Sequence, residues 1–101
     1  MSERLREAYT EAALEETLEI ETYLATQSSG LGEAFRAELN ATIDALLEFP
    51  ESAPVVSPKA IRRRLLPRFP YAVLYVLSDD LLLILVVTHT RRAPNSGDDR
   101  L

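Results

Sequence analysis

The chain has 101 residues, 47% of them hydrophobic, and a formal net charge of −5. That length suits one compact domain with a core of its own. The absence of cysteine excludes disulfides and thiolate metal sites, and a single histidine leaves no basis for structural zinc. No apolar run reaches the roughly 18 residues of a membrane-spanning helix. The start, Met-Ser-Glu-Arg-Leu-Arg-Glu, lacks the apolar segment of a signal peptide, so a cytoplasmic protein is expected, with no cofactor and no metal. The charge is divided. Residues 1–58 carry three arginines against twelve acidic side chains, and residues 59–101 carry eight basic against four acidic. The first half repels nucleic acid; the second attracts it, or an acidic partner.

By propensity residues 3–9 make a poor strand and a fair helix, and a short edge strand there is left open. From Glu11 to Gln27 the pattern is helical, with Ala13, Thr17, Ile20 and Leu24 on one stripe and Leu14 and Leu18 at its border. Glu15, Glu16 and Glu19 form a solvated face, or an acidic docking surface. Ser28 to Gly32 breaks the helix, with Gly30 free to take the left-handed conformation that ends helices. A second helix follows from Leu31 to Phe49. Phe35, Leu39, Thr42, Ile43, Leu46 and Leu47 make its apolar face, and Arg36, Glu38, Asn40, Asp44 and Glu48 point elsewhere. The short connection predicts an antiparallel helical hairpin. Pro50, Pro54 and Pro58 exclude a helix from the next loop.

Lys59 to Leu66 reads as a basic strand, with Arg62 and Arg64 on one face and Ile61, Arg63 and Leu65 on the other. Pro67 and Pro70 bend the chain into a β-hairpin: Tyr71 to Leu77, a Ser78-Asp79-Asp80 turn, and Leu81 to Val87. The return strand is apolar on both faces, which places it centrally in the sheet. The expected fold is α+β: an N-terminal antiparallel helical hairpin packed on a three- to four-stranded antiparallel sheet. Residues 1–50 supply mainly the helices and 59–94 the sheet. The tail, 95–101, has no aromatic anchor and is expected to be mobile.

The ordered set Arg62, Arg68, Phe69, Pro70, Tyr71, Tyr75, His89, Arg91, Arg92 and Pro94 resembles the C-terminal half of RelE/ParE-family toxins of bacterial type II toxin–antitoxin (plasmid stabilisation) systems. The helical pair around Ser29 to Gly32 extends the resemblance over most of the chain. It implies a toxin held inactive by a cognate antitoxin, which wraps an extended or helical segment around it. A toxin dimer or a toxin–antitoxin hetero-oligomer is compatible with that. RelE-like members cut mRNA in the ribosome, using several Lys and Arg residues and a C-terminal Tyr. ParE-like members inhibit DNA gyrase by binding. Here Lys59 is the sole lysine, no tyrosine follows Tyr75, and the family's Tyr-Trp pair near 96 and 97 is absent. These departures place the chain nearer the ParE group. A degenerate member that retains only antitoxin binding is the third reading.

Metal-free RNA cleavage needs a base for the 2′-hydroxyl, cations for the crowded phosphate, and an acid for the leaving oxygen. Histidine titrates near neutrality and can serve as base or acid. His89, Arg91, Arg92 and Tyr71 are the catalytic candidates if the protein is a nuclease. Arg62, Arg63, Arg68, Tyr75, Arg91 and Arg92 are the candidates for target or partner binding. Each has a structural alternative. His89 can fix a strand end, Tyr71 and Tyr75 can be core aromatics, and Arg62 to Arg64 can protect an edge strand from aggregation.

Overall fold

A computed structural model describes residues 5–91. Its elements are β1 (Arg6–Tyr9), α1 (Glu11–Gln27), α2 (Leu31–Glu48), β2 (Arg62–Leu65), β3 (Tyr71–Ser78) and β4 (Leu81–His89). The architecture is α+β, with the helical pair against one face of a four-stranded sheet in the order β1-β4-β3-β2.

Both helices form where the periodicity puts them. Thr10 caps α1, its hydroxyl accepting the Ala13 N–H at 3.0 Å. Ala13, Thr17 and Leu24 are buried and Ile20 packs partly against the core. Leu14 and Leu18, expected at the border, are 42% and 49% exposed. Gly30 is left-handed, with φ +81°, but its role differs from the expected one. α1 ends at the extended Ser28, and Gly30 opens α2 as its N-cap. The helices meet closely at Gly32, where a Cβ would sit 2.5 Å from the Glu21 carbonyl oxygen.

α2 buries all six residues of its expected apolar face. They pack on Tyr71, Val73 and Tyr75 of β3 and on Leu82, Ile84 and Val87 of β4. Each large apolar side chain so buried contributes about 1.5–3 kcal/mol. Glu38 is the exception to the sequence reading. Expected in solvent, it is only 8% exposed. The opposite sheet face carries Ala72, Leu74, Val76, Leu85 and Val86 under Val56 of the proline-bracketed loop and Ile61, which directly precedes β2. The hairpin is thus covered on both sides, as its continuous apolar runs require. Leu85 has no partner in the β3 register, and this bulge turns Leu85 and Val86 to the same face.

The sheet differs from expectation at its two edges. Residues 6–9 do form a strand, but it runs parallel to β4, pairing Arg6 with Leu81 through Tyr9 with Ile84. The sheet is therefore mixed and not antiparallel throughout. Direction at an edge is decided by how the intervening chain returns, and the four residues themselves carry no sign of it. β2 starts three residues later than expected. Ala60 adopts φ 62° in a turn closed by its N–H to the Ser57 carbonyl, which keeps Lys59 and Ala60 out of the sheet. No helix among the described residues is long and apolar enough to cross a membrane.

Candidate functional site at the hairpin end

Pairing of β3 with β4 sets Tyr71 directly opposite His89. Cross-strand neighbours lie close enough for their rings to touch. The phenol and imidazole meet edge to face, with centroids 5.4 Å apart. Tyr71 also meets Phe35 of α2 at 5.4 Å, and Phe35 meets Phe69 at 5.8 Å. A line of four rings therefore runs from the 68–70 turn through α2 to the end of β4. Pairs of this geometry add about 0.5–1.5 kcal/mol beyond burial.

Burial pushes the Tyr71 hydroxyl above its ordinary value, and the nearby Tyr23 phenol of α1 adds to the rise. Tyr71 is therefore a poor base and a usable hydrogen-bond donor. His89 Nδ1 accepts the Arg91 backbone N–H at 3.2 Å, which leaves the proton of the neutral ring on Nε2. Arg91 is exposed beside it. This end therefore sets an imidazole beside an exposed arginine.

Three further hydrogen bonds hold this end. The Arg63 guanidinium donates to the Thr90 carbonyl at 3.3 Å. The Thr90 N–H donates to the Pro70 carbonyl at 2.9 Å, and the Tyr71 N–H to the Phe69 carbonyl at 2.8 Å. The turn that carries Phe69 and Pro70 is itself fixed by Glu38. One carboxylate oxygen accepts the N–H groups of Arg68 (2.9 Å) and Phe69 (3.1 Å), and the other accepts Nε of Arg68 at 3.1 Å. Burial alone would raise this carboxyl. The two backbone bonds, the guanidinium bond and the arginine charge outweigh it and hold the group below its ordinary value.

Arg62 and Tyr75 serve elsewhere. Arg62 donates to the carbonyls of Glu51 (3.1 Å) and Ala53 (2.8 Å). The Tyr75 hydroxyl donates to the Pro50 carbonyl at 2.7 Å, and Arg64 donates to the Ser52 hydroxyl. Together they tie residues 50–53 to the sheet. Burial raises the Tyr75 hydroxyl, against the lowering effect of Arg62 and Arg64. The eight candidates therefore separate. Tyr71, His89 and Arg91 come together, with Arg63 and Arg68 supporting them. Arg62 and Tyr75 form a loop clamp. Arg92 lies outside the described residues, as does the 95–101 tail. Tyr23 and Glu38 were not among the candidates. Glu38 sits three residues from Phe35 on the buried stripe, a spacing that pointed inward although its charge pointed out.

A second feature lies along α2. Ala34, Ala37, Ala41 and Ala45 floor an open groove of about 600 Å³, whose other wall is Arg64, Leu65, Pro67 and Arg68. It adjoins β2, the sheet edge opposite β1. No group of three or more potential metal ligands occurs among the described residues.

The family description "ParE toxin of type II toxin-antitoxin system, parDE" matches residues 8–94. No curated protein matches the chain. Among solved structures, a chain of the chromosomal ParDE toxin–antitoxin system from P. aeruginosa is similar, with a TM-score of 0.70 at 15% identity. The match covers 87% of this chain and 98% of that one. At that identity the likeness is one of fold, and it includes the two helices and the four-stranded sheet.

Proposed function

The chain belongs to the ParE toxin family of type II toxin–antitoxin systems, and on that premise we propose that it arrests growth by binding DNA gyrase. A cognate antitoxin, as the system's name implies, keeps it inactive. The observation that supports binding over RNA cleavage is that the cations and the phenol that could assist the Tyr71, His89 and Arg91 group are committed to structure. Arg62 and Tyr75 are bonded to the 50–53 loop, and Arg68 to Glu38. A nuclease would need such groups free to follow a phosphate through its transition state. Arg63, His89 and Arg91 are proposed target contacts because they gather at or near one end of a doubly covered hairpin, and Arg92 is proposed with them as the next residue in sequence. The alanine-floored groove along α2 is the proposed antitoxin surface, since such a groove accepts helix docking; residues 54–56 already pair with β2 at Arg62 and Arg63, which leaves its Arg64–Leu65 end for strand addition. Both partners would be met in the cytoplasm.

The contact of Tyr71 with His89 beside Arg91 favours one alternative, a ribosome-dependent mRNA endoribonuclease with Tyr71, His89, Arg91 and Arg92 at its site. Pulse-labelling of DNA and protein synthesis after tightly controlled expression in a bacterium separates the readings. Early loss of DNA synthesis, followed by inhibition of gyrase supercoiling in vitro, is the expected result. Early loss of translation would replace it with the endoribonuclease. No change in either, with soluble protein accumulating, would leave antitoxin binding as the retained function.

A further inference from the structure

We infer that Glu38 is a positioning residue for the hairpin end: its carboxylate sets where His89, Thr90 and Arg91 stand, although it touches none of them. The inference rests on the reading of that end as the target-contacting surface. The connection is made of bonds already described. Glu38 accepts both backbone N–H groups at the head of the 68–70 turn. That turn gives its next two carbonyls to the hairpin, Phe69 to the Tyr71 N–H and Pro70 to the Thr90 N–H. The Phe69 ring leads through Phe35 and Tyr71 to the His89 imidazole. Backbone and side-chain routes thus start at one carboxylate and end on adjacent residues of β4 and its exit.

The chemistry suits this role better than solubility or a surface ion pair. A surface glutamate would pair with Arg68 in water and contribute little. Glu38 is buried while the Arg68 side chain is 84% exposed, so the carboxylate is the fixed member and the guanidinium the outer one. Two N–H groups on one oxygen define the plane of the turn, which a single point charge would not. Proline at 67 and 70 leaves Arg68 and Phe69 as the N–H donors of this segment before Tyr71. Glu38 takes both.

Amide hydrogen exchange in the full chain tests this directly, read at Thr90 against Val76 and Leu83 in the same hairpin as internal references. With Glu38→Ala, Thr90 should exchange about tenfold faster relative to the references, because its opening becomes local and not global. Glu38→Gln keeps shape and acceptor but loses charge; it should give about a threefold change and serves if the alanine variant does not fold. An equal acceleration at all three sites, or none at Thr90 while Arg68 and Phe69 respond, would overturn the inference. Gyrase inhibition is measured on the same variants. Wild-type protein that fails to inhibit gyrase sinks the target reading alone, since the exchange pattern still decides the role of Glu38. Inhibition unchanged in a variant whose Thr90 is released would show that the position of this segment does not matter to the target.

Discussion

Two loops are tied to this fold by opposite chemistry. The 68–70 turn offers N–H groups to a buried carboxylate, and the 50–53 loop offers carbonyls to a guanidinium and a phenol. The first tie depends on one side chain, whose carboxylate is shielded from water. The second is shared among Arg62, Arg64 and Tyr75, and Glu51 adds a 3.6 Å ion pair from an 80% exposed side chain. A shielded single anchor concentrates its effect, whereas a shared and partly wet one spreads it. The loops also differ in what they support. The 68–70 turn bears on the hairpin end, whereas the 50–53 loop adds Ala53 to the helix-side core and leads to Val56 and Ile61, which cover the second sheet face.

The largest predicted effect is at the single anchor. Glu38→Ala should lower unfolding stability by about 3 kcal/mol, since two backbone donors and a guanidinium lose their acceptor together. Denaturant titration measures it, and a loss under 1 kcal/mol would erase the contrast between the loops. At the shared anchor, Arg62→Ala should cost about 1–2 kcal/mol, with Arg64 and Tyr75 still in place. Tyr75→Phe should cost about 1 kcal/mol, the worth of one hydrogen bond when the ring stays packed. Both single losses should fall well short of that at Glu38, and a double variant should exceed their sum, because each covers for the other.

Acid sharpens the comparison through its sign. The Glu38 carboxyl is held below its ordinary value in the folded chain, so the folded state binds its proton less readily than the unfolded state. Its contribution is full above the unfolded value of 4.5 and is lost as pH falls through the lower folded value. The stability gap between wild type and Glu38→Gln should close over that acid window. The gap for Tyr75→Phe should stay constant there, because a phenol does not titrate in it. Smallest of all, Arg6→Ala at the β1 edge should change stability by under about 0.5 kcal/mol. The Arg6–Asp80 pair is 74% and 70% exposed, and it marks the scale of a solvent-facing tie.

Much of the candidate site was legible in the sequence because it lies on one hairpin. Alternation and the Ser78-Asp79-Asp80 turn bring the two strands together, and that pairing sets Tyr71 against His89. The arginines were legible as a group but not by role. Arg62 and Arg63 are neighbours in a strand, so they leave on opposite faces, one to the 51–53 carbonyls and one to Thr90. Which loop waited on each side depended on contacts that span the chain. Glu38 was missed for a related reason. Charge sends a glutamate to solvent unless buried donors wait for it, and those donors sit thirty residues further on.

What the sequence determined by itself was local and periodic: α1 to the residue, α2 within one, and the doubly apolar hairpin. Those features follow from repeat lengths of 3.6 and 2 and from turn residues, which need no distant partner. Only the tertiary structure decided the parallel edge strand, the bulge at Leu85, the clamp on residues 50–53, and the burial of Glu38. Each of these satisfies backbone or side-chain polar groups across the chain, and such groups must find partners once they leave water. The partners are assigned by the packed arrangement of the elements, which no single stretch of sequence contains.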